Sequence, residues 1–139
     1  MPWGAARPTR RSVNQPLHRF KAELFKVLGN PLRIKIVELL RAGDMTVAEL
    51  LQQLDVEAST ASQQLGVLRA HGIVEGQREG ATVRYALRDA LVGELLDVTR
   101  RMFNNRVLDL QQLQKAQERE ERASSRRGAD RGRPVEASS

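Results

Sequence analysis

One helical segment gives the starting point for the fold, Ala58-Ser-Thr-Ala-Ser-Gln-Gln-Leu-Gly-Val-Leu-Arg-Ala-His-Gly72. Its apolar residues recur at helical spacing, at Ala61, Leu65 and Leu68. The pattern predicts an amphipathic helix with Ser59 as the N-cap and Gly72 just beyond the end. The other side of its first turns carries uncharged hydrogen-bonding groups, on Thr60, Ser62, Gln63 and Gln64. Since such groups pair with base edges and phosphates, we predict a helix that reads the DNA major groove; a merely solvated polar helix is the alternative.

A second short helix precedes this segment. Thr46-Val-Ala-Glu49 has the pattern of a capping box, and the apolar residues that follow at helical spacing are Val47, Leu50, Leu51 and Leu54. Asp55-Val56-Glu57 then forms a short turn into the reading helix. Two short helices joined by such a turn, the second polar on its outer first turn, predict a helix-turn-helix.

Two further helices lie upstream. The first has one apolar face, made of Leu17, Phe20, Leu24, Val27 and Leu28, and ends at Gly29-Asn30. Pro31 stands at a favoured first helical position and opens the second. Because this second helix is apolar around much of its circumference, we expect it at the centre of the domain.

After Gly72 the apolar period changes from helical to alternating. Residues 73–78 and 82–87 read as two strands joined by the compact turn Glu79-Gly80-Ala81, which predicts a β-hairpin. Arg78 and Arg84 lie near its tip, where they could reach a phosphate backbone or a minor groove. Ordinary solvated strand charges are the alternative; the position beside the reading helix favours DNA contact.

Asp89 opens a last helix that we expect to extend to about Arg122, roughly 45 Å at the rise of an α-helix. A domain of this size cannot bury such a helix, so either its far half frays or the helix packs on another chain, and its apolar stripe favours the second. The predicted fold is therefore mainly α with a small β-hairpin, in the order α-α-α-α-β-β-α, over residues 17–122. Residues 1–16 are predicted to form a disordered basic arm and residues 123–139 a disordered tail.

Composition limits the possible functions. The 139 residues hold one domain comfortably and include no cysteine, which excludes disulfides and thiolate ligands. The sequence has no apolar run long enough to span a membrane and no signal peptide, so a cytoplasmic protein is expected. Lys and Arg number 23 against 17 Asp and Glu, and much of the excess lies in the terminal segments, where it suits loose phosphate contacts.

Four linked motifs resemble the ArsR/SmtB family of transcriptional regulators. They cover roughly residues 17–103 and are Phe25-Lys-Val-Leu-Gly-Asn-Pro-Leu-Arg-Ile-Lys-Ile-Val-Glu-Leu-Leu40, Thr46-Val-Ala-Glu-Leu-Leu51, Ser62-Gln-Gln-Leu-Gly-Val-Leu-Arg69 and Gly72-Ile-Val-Glu-Gly-Gln-Arg-Glu-Gly80. The resemblance implies a winged helix-turn-helix repressor that binds a palindromic operator as a homodimer. It also implies dimer contacts from the first and last helices, here Leu17, Phe20, Leu24, Leu91, Leu95, Val98 and Met102. The family's common Ser-Arg-His-Leu reads Ser62-Gln-Gln-Leu65 in this chain, so the operator sequence does not carry over.

This chain departs from the family at the metal sites. Many relatives sense metals through a Cys-x-Cys pair, and the matching positions here hold Leu51 and Gln53. Others use Asp and His pairs on the last helix, where this chain has Asp97 but no histidine. His18 and His71 are the only imidazoles, and neither has a second strong ligand nearby in sequence. We therefore expect no metal site and no cofactor.

Other classes of protein fit the sequence less well. It has no phosphate-binding loop, cysteine nucleophile, paired-His site or nucleophile elbow, so we do not expect an enzyme. A winged-helix protein-interaction module with little or no specific DNA binding is the alternative. The two differ in electrostatics, because a DNA reader must present Arg33, Arg69, Arg78 and Arg84 toward one side, although Arg33 could instead lie in an internal ion pair. The expected partners are double-stranded DNA, a second copy of the chain and an unidentified small-molecule or protein effector.

Overall fold

The computed structural model describes residues 10–132, in two units, residues 10–96 and 97–132. The helices are α1 (Arg10–Leu28), α2 (Pro31–Ala42), α3 (Val47–Gln53), α4 (Ala58–Ala70) and α5 (Leu91–Arg131). The strands are β1 (Met45–Thr46), β2 (Val74–Glu79) and β3 (Thr82–Leu87). This confirms the predicted order of helices and hairpin, with β1 as an unpredicted addition. No helix in the described part of the chain is long and apolar enough to cross a membrane.

The core of the first unit surrounds α2, as its apolar pattern predicted. Ile36 and Val37 are fully buried there, and Leu40 nearly so. The other buried core residues come from every neighbouring helix and from β2, and are Val27, Leu28, Leu50, Leu54, Leu65, Leu68, Ile73, Val74 and Val92. The apolar stripe of α4, including Ala61, is thus turned inward, which leaves its polar residues on the outside.

Capping side chains fix where α2 and α3 begin. Asn30 Oδ1 accepts hydrogen bonds from the backbone N–H groups of Leu32 and Arg33, at 3.0 and 3.1 Å. The capping box is confirmed, because Thr46 Oγ1 accepts from the Glu49 N–H at 3.2 Å while Glu49 Oε2 accepts from the Thr46 N–H at 3.3 Å. Each pair satisfies N–H groups that the first helical turn leaves without partners.

The start of α4 differs from the prediction, and its end agrees. Glu57, not Ser59, occupies the N-cap and makes no side-chain cap bond, so the prediction for Ser59 was wrong. The turn from α3 places the first helical residue at Ala58, which leaves Ser59 inside the first turn and exposed. At the other end Gly72 has φ +71°, and the Ile73 N–H donates to the Leu68 carbonyl at 2.9 Å, which is a Schellman motif.

The sheet is antiparallel with strand order β1-β3-β2. The hairpin register pairs Glu79 with Thr82, so the loop has only two residues, and Gly80 supplies the positive φ of +61° that a tight hairpin turn needs at its first loop position. β1 pairs with β3 through Met45–Tyr85 and Thr46–Arg84. Two residues are too few to give an alternating pattern, which is why the sequence did not predict β1.

Both predicted disordered segments are partly helical. α1 begins at Arg10 and α5 continues to Arg131, so the predicted disorder of residues 10–16 and 123–131 was wrong; residues 1–9 and 133–139 lie outside the described residues. Ala, Arg and Glu are good helix formers, and Glu118 and Arg122 are spaced one helical turn apart, which favours continuation. Ser and Gly among the arginines of residues 123–131 are weaker helix formers, yet the helix continues through them.

Candidate nucleic-acid interface

The outward face of α4 is polar and almost uncharged. Its exposed residues recur at helical spacing and are Ser59, Ser62, Gln63, Gly66 and Arg69. Apart from its chain neighbours and the backbone of its own helix, nothing lies within 4 Å of the position that a Cβ on Gly66 would occupy, so the helix backbone is bare at the middle of this face. The face can therefore offer amide and hydroxyl groups to base edges at short range, with one cation at its end.

Two of the predicted reading residues, Thr60 and Gln64, lie on the flank of α4 and are half-buried. Gln64 Oε1 accepts a hydrogen bond from Arg33 Nη1 at 3.3 Å. The same guanidinium donates through Nε to the Val27 carbonyl at 2.7 Å, near the C-terminus of α1. Arg33 therefore points inward, to a carbonyl and an amide rather than to a carboxylate, and connects α1, α2 and α4. Its charge also suits the negative end of the α1 dipole.

The two predicted wing arginines lie on opposite faces of the hairpin. Arg84 is paired across the strands with Gln77, so the adjacent Arg78 points to the other side. Arg78 is exposed, next to the pair that closes the loop. Further from the loop, the face of the hairpin that carries Arg78 is tightly packed, since a Cβ on Gly76 would lie 3.0 Å from Val83 Cγ1 and 3.3 Å from the Tyr85 ring.

Arg84 contacts other residues of the chain, whereas the sequence predicted that its side chain would be free to reach DNA. Its Nε donates to Glu79 Oε2 at 3.1 Å, and its Nη1 lies 3.5 Å from Glu49 Oε2 and donates to the Asp44 carbonyl at 3.1 Å. The hydrogen bond to Glu79, the negative charge of Glu79 and then that of Glu49 raise the pKa of Arg84. The other three arginines that a DNA reader would present to DNA differ in position. Arg33 points inward, whereas Arg69 and Arg78 are exposed.

Exposed apolar side chains mark a second surface in each unit. In residues 10–96, Leu17 is 49% exposed and Phe20 and Leu91 are each 63% exposed, with Leu24 and Leu95 half-buried beside them. In residues 97–132 a row of apolar residues follows one side of the helix, and its members are Val98, Met102, Phe103, Leu110 and Leu113. All seven predicted dimer residues are thus at least partly accessible, and sequence reasoning left out Phe103, which is 67% exposed.

A cavity of about 520 Å³ opens within the first unit, beside the C-terminus of α4. Its lining is mostly apolar with four ionisable groups, and consists of Phe20, Glu23, Leu24, His71, Gly72, Ile73, Arg88, Asp89, Leu91, Val92 and Leu95. The Asp89 carboxylate caps the start of α5, because its Oδ1 accepts a hydrogen bond from the Leu91 N–H at 2.9 Å. The volume is within the range of small-molecule pockets.

The described residues contain no group of three or more His, Asp or Glu side chains that could hold a metal ion. The chain as a whole has no cysteine. His71 is engaged locally, with Nδ1 2.9 Å from the Val67 carbonyl.

A helix-turn-helix followed by a hairpin, with a polar outer face on the second helix, defines the winged helix-turn-helix class of DNA-binding proteins. Known proteins narrow the class. A family model described as a helix-turn-helix domain matches residues 28–77. The transcriptional regulator Rv0081 of Mycobacterium tuberculosis is 43% identical over 105 residues, which covers 72% of this chain and 92% of the relative. The chain belongs to the ArsR/SmtB family of winged helix-turn-helix transcriptional regulators.

Solved structures agree with this assignment. The crystal structure of Rv0081 superposes with a TM-score of 0.62 at 43% identity, covering 68% of this chain and 95% of that one. The transcriptional repressor BigR from Xylella fastidiosa gives 0.60 at 37% identity, covering 68% and 96%. The homodimeric winged helix-turn-helix DNA-binding domain of Mb0332 from Mycobacterium bovis gives 0.64 at 26% identity, covering 73% and 93%.

Proposed function

We propose that the protein is a repressor that binds a palindromic operator as a homodimer and has no cysteine metal-sensing site. The observation that carries the proposal is the exposed, uncharged face of α4 around Ser62 and Gln63. Surface helices kept only for solubility carry mainly Glu and Lys, whereas amide and hydroxyl groups are suited to base edges. Exposed Arg69, at the end of that face, and exposed Arg78, on the wing, would supply phosphate contacts.

Dimerisation follows from the geometry of DNA. Two reading helices must lie about one helical turn, roughly 34 Å, apart to enter successive major grooves, and a single chain has one. The exposed Leu17, Phe20 and Leu91 of the first unit, and Val98 and Met102 of the second, supply apolar surface for a second copy to cover. A related domain, from Mb0332, is described as homodimeric. Since an operator is part of the chromosome, a cytoplasmic location goes with this function.

Control of DNA binding requires chemistry other than metal–thiolate coordination or thiol oxidation, because the chain has no cysteine. A small organic ligand, a protein partner, phosphorylation at Ser59, Thr60 or Ser62, or protein concentration alone could each supply it. The 520 Å³ cavity is the place for a small ligand, since it adjoins the turn that ends α4. A phosphate on the outer face of α4 would instead repel the DNA backbone directly.

Footprinting of the purified protein on its own upstream region tests the proposal. We expect one protected, two-fold symmetric site in which two major grooves about 10 base pairs apart are covered. Light scattering on the same sample should give about twice the chain mass of 15.6 kDa. Uniform protection along the DNA, or protection of one groove by a monomer, would contradict the proposal.

A further inference from the structure

Arg84 stands where two acidic side chains would otherwise face solvent without compensation. Its side chain is 34% exposed, and those of its carboxylate partners Glu49 and Glu79 are 46% and 56% exposed. The three groups come from different elements, since Glu49 lies in α3, Glu79 ends β2 and Arg84 lies in β3. The guanidinium also holds the Asp44 carbonyl, just before β1. One cation therefore connects the wing to the first helix of the helix-turn-helix.

The neighbouring hydrogen bonds show how firmly this connection is built. Thr46 pairs with Arg84 in the sheet, and the Glu49 carboxylate that faces Arg84 also closes the capping box on Thr46. The start of α3, strand β1 and the wing thus share one network. These contacts use Nε and Nη1 of the guanidinium and place two carboxylates beside its charge, so a phosphate that approached Arg84 would also meet two negative groups.

We propose that Arg84 is a positioning residue that neutralises Glu49 and Glu79 and fastens the wing to α3, so that the DNA backbone can approach Arg78, and that it makes no phosphate contact of its own. The proposal rests on the DNA interface described above. Without Arg84, the Glu79 carboxylate next to the wing loop and the Glu49 carboxylate would lack this counter-charge, and charges closer than a Debye length, about 10 Å at 0.1 M salt, are only partly screened. Like-charge contacts of this kind oppose association.

A double-mutant cycle separates neutralisation from direct contact. Arg84→Gln is measured in the native chain and in Glu49→Gln/Glu79→Gln, with operator affinity followed by fluorescence anisotropy at about 0.1 M salt. Gln at position 49 preserves the capping box, which accepts Glu or Gln. We expect Arg84→Gln to weaken binding about five- to tenfold in the native chain and less than about twofold in the neutral background. A direct phosphate contact predicts the reverse, because Arg84 freed from its carboxylates would bind phosphate better and its loss would cost the same or more.

Arg78→Gln is the matched control, since it removes the same charge from the neighbouring strand. It should weaken binding by the same factor in both backgrounds. If Arg78→Gln and Arg84→Gln both leave affinity unchanged, the proposed interface fails. If Arg78→Gln behaves as expected but Arg84→Gln has the same effect on affinity in both backgrounds, only the proposal for Arg84 is overturned. Thermal unfolding of each variant checks that it is folded. Should Arg84→Gln unfold, Arg84→Lys, which keeps one charge and loses the forked contacts, is used in the same cycle, and equal losses in both backgrounds again overturn the proposal.

Discussion

Gln63→Ala should remove sequence discrimination without weakening the fold. Gln63 is exposed at the middle of the reading face, and a bidentate amide–adenine pair contributes about 1–3 kcal/mol of discrimination. A dimer makes the contact in both half-sites, so the smallest expected loss is about 2 kcal/mol, or roughly 30-fold in operator affinity. Binding to random DNA should change little because it depends on phosphate contacts. Fluorescence anisotropy with operator and scrambled duplexes at one salt concentration measures both losses.

Gln64→Ala is the matched control, and its effect should be on stability. The substitution leaves Arg33 Nη1 without the acceptor that it has at 3.3 Å, which costs about 1 kcal/mol and lowers the unfolding midpoint by about 3–5 °C. Its effect on operator discrimination should be smaller than that of Gln63→Ala. The assignment is wrong if Gln63→Ala weakens operator and random DNA equally, or if Gln64→Ala proves the more selective of the two.

Four other outcomes are expected. Arg78→Ala should weaken operator and random DNA alike and reduce the slope of log affinity against log salt by about 1 per protomer. Val98→Asp should give a monomer by light scattering and abolish operator binding, whereas Leu108→Asp, a similarly exposed leucine about 80° round the helix from Val98 and about 120–160° from the rest of that apolar row, should leave the dimer intact. Thr46→Ala should cost about 1 kcal/mol in chemical denaturation, while Ser59→Ala, which removes no cap bond, should cost almost nothing. Zinc, cadmium, arsenite and peroxide should each leave operator affinity unchanged within about twofold, well below ordinary allosteric coupling, and release at micromolar metal would reveal a missed site.

The sequence predicted correctly those helix ends and turns that depend on residues close together in the chain. The capping box at Thr46 and Glu49, the helix end at Gly72 and the hairpin turn at Gly80 each depend on residues a few positions apart, and all three were confirmed. The wide apolar face of α2 likewise predicted its central place, because such a face needs several neighbouring elements to cover it. The prediction for Ser59 was wrong because Asp55, Glu57 and Ser59 lie close together before the apolar stripe of α4. The turn from α3, rather than the residue type, determines that the helix begins after Glu57.

The candidate site was less predictable because it depends on distant partners. Nothing near Arg33 in sequence indicates that it will meet Val27 and Gln64 rather than DNA, since Gln64 lies 31 residues away. Arg84 likewise meets the Asp44 carbonyl 40 residues away. The sequence around an arginine on a helix or strand is the same whether its side chain faces solvent or binds a backbone carbonyl. Gly66 did carry a signal, because a glycine inside a helix costs about 1 kcal/mol relative to alanine and so calls for a reason.

Two of the four arginines that a DNA reader would present to DNA make contacts within the chain, so fewer cations are available for phosphate contacts than the sequence predicted. With Arg33 and Arg84 held internally, the predicted set leaves Arg69 and Arg78 as exposed cations, or four in a dimer. At about 0.9 counterion released per phosphate contact, four contacts weaken by roughly 100-fold between 50 and 200 mM salt, and two contacts by roughly tenfold. Phosphate contacts from this set alone give little affinity for DNA of arbitrary sequence. We therefore expect tight binding to depend on the uncharged face of α4 and, in the proposed homodimer, on its presentation by two copies of the chain.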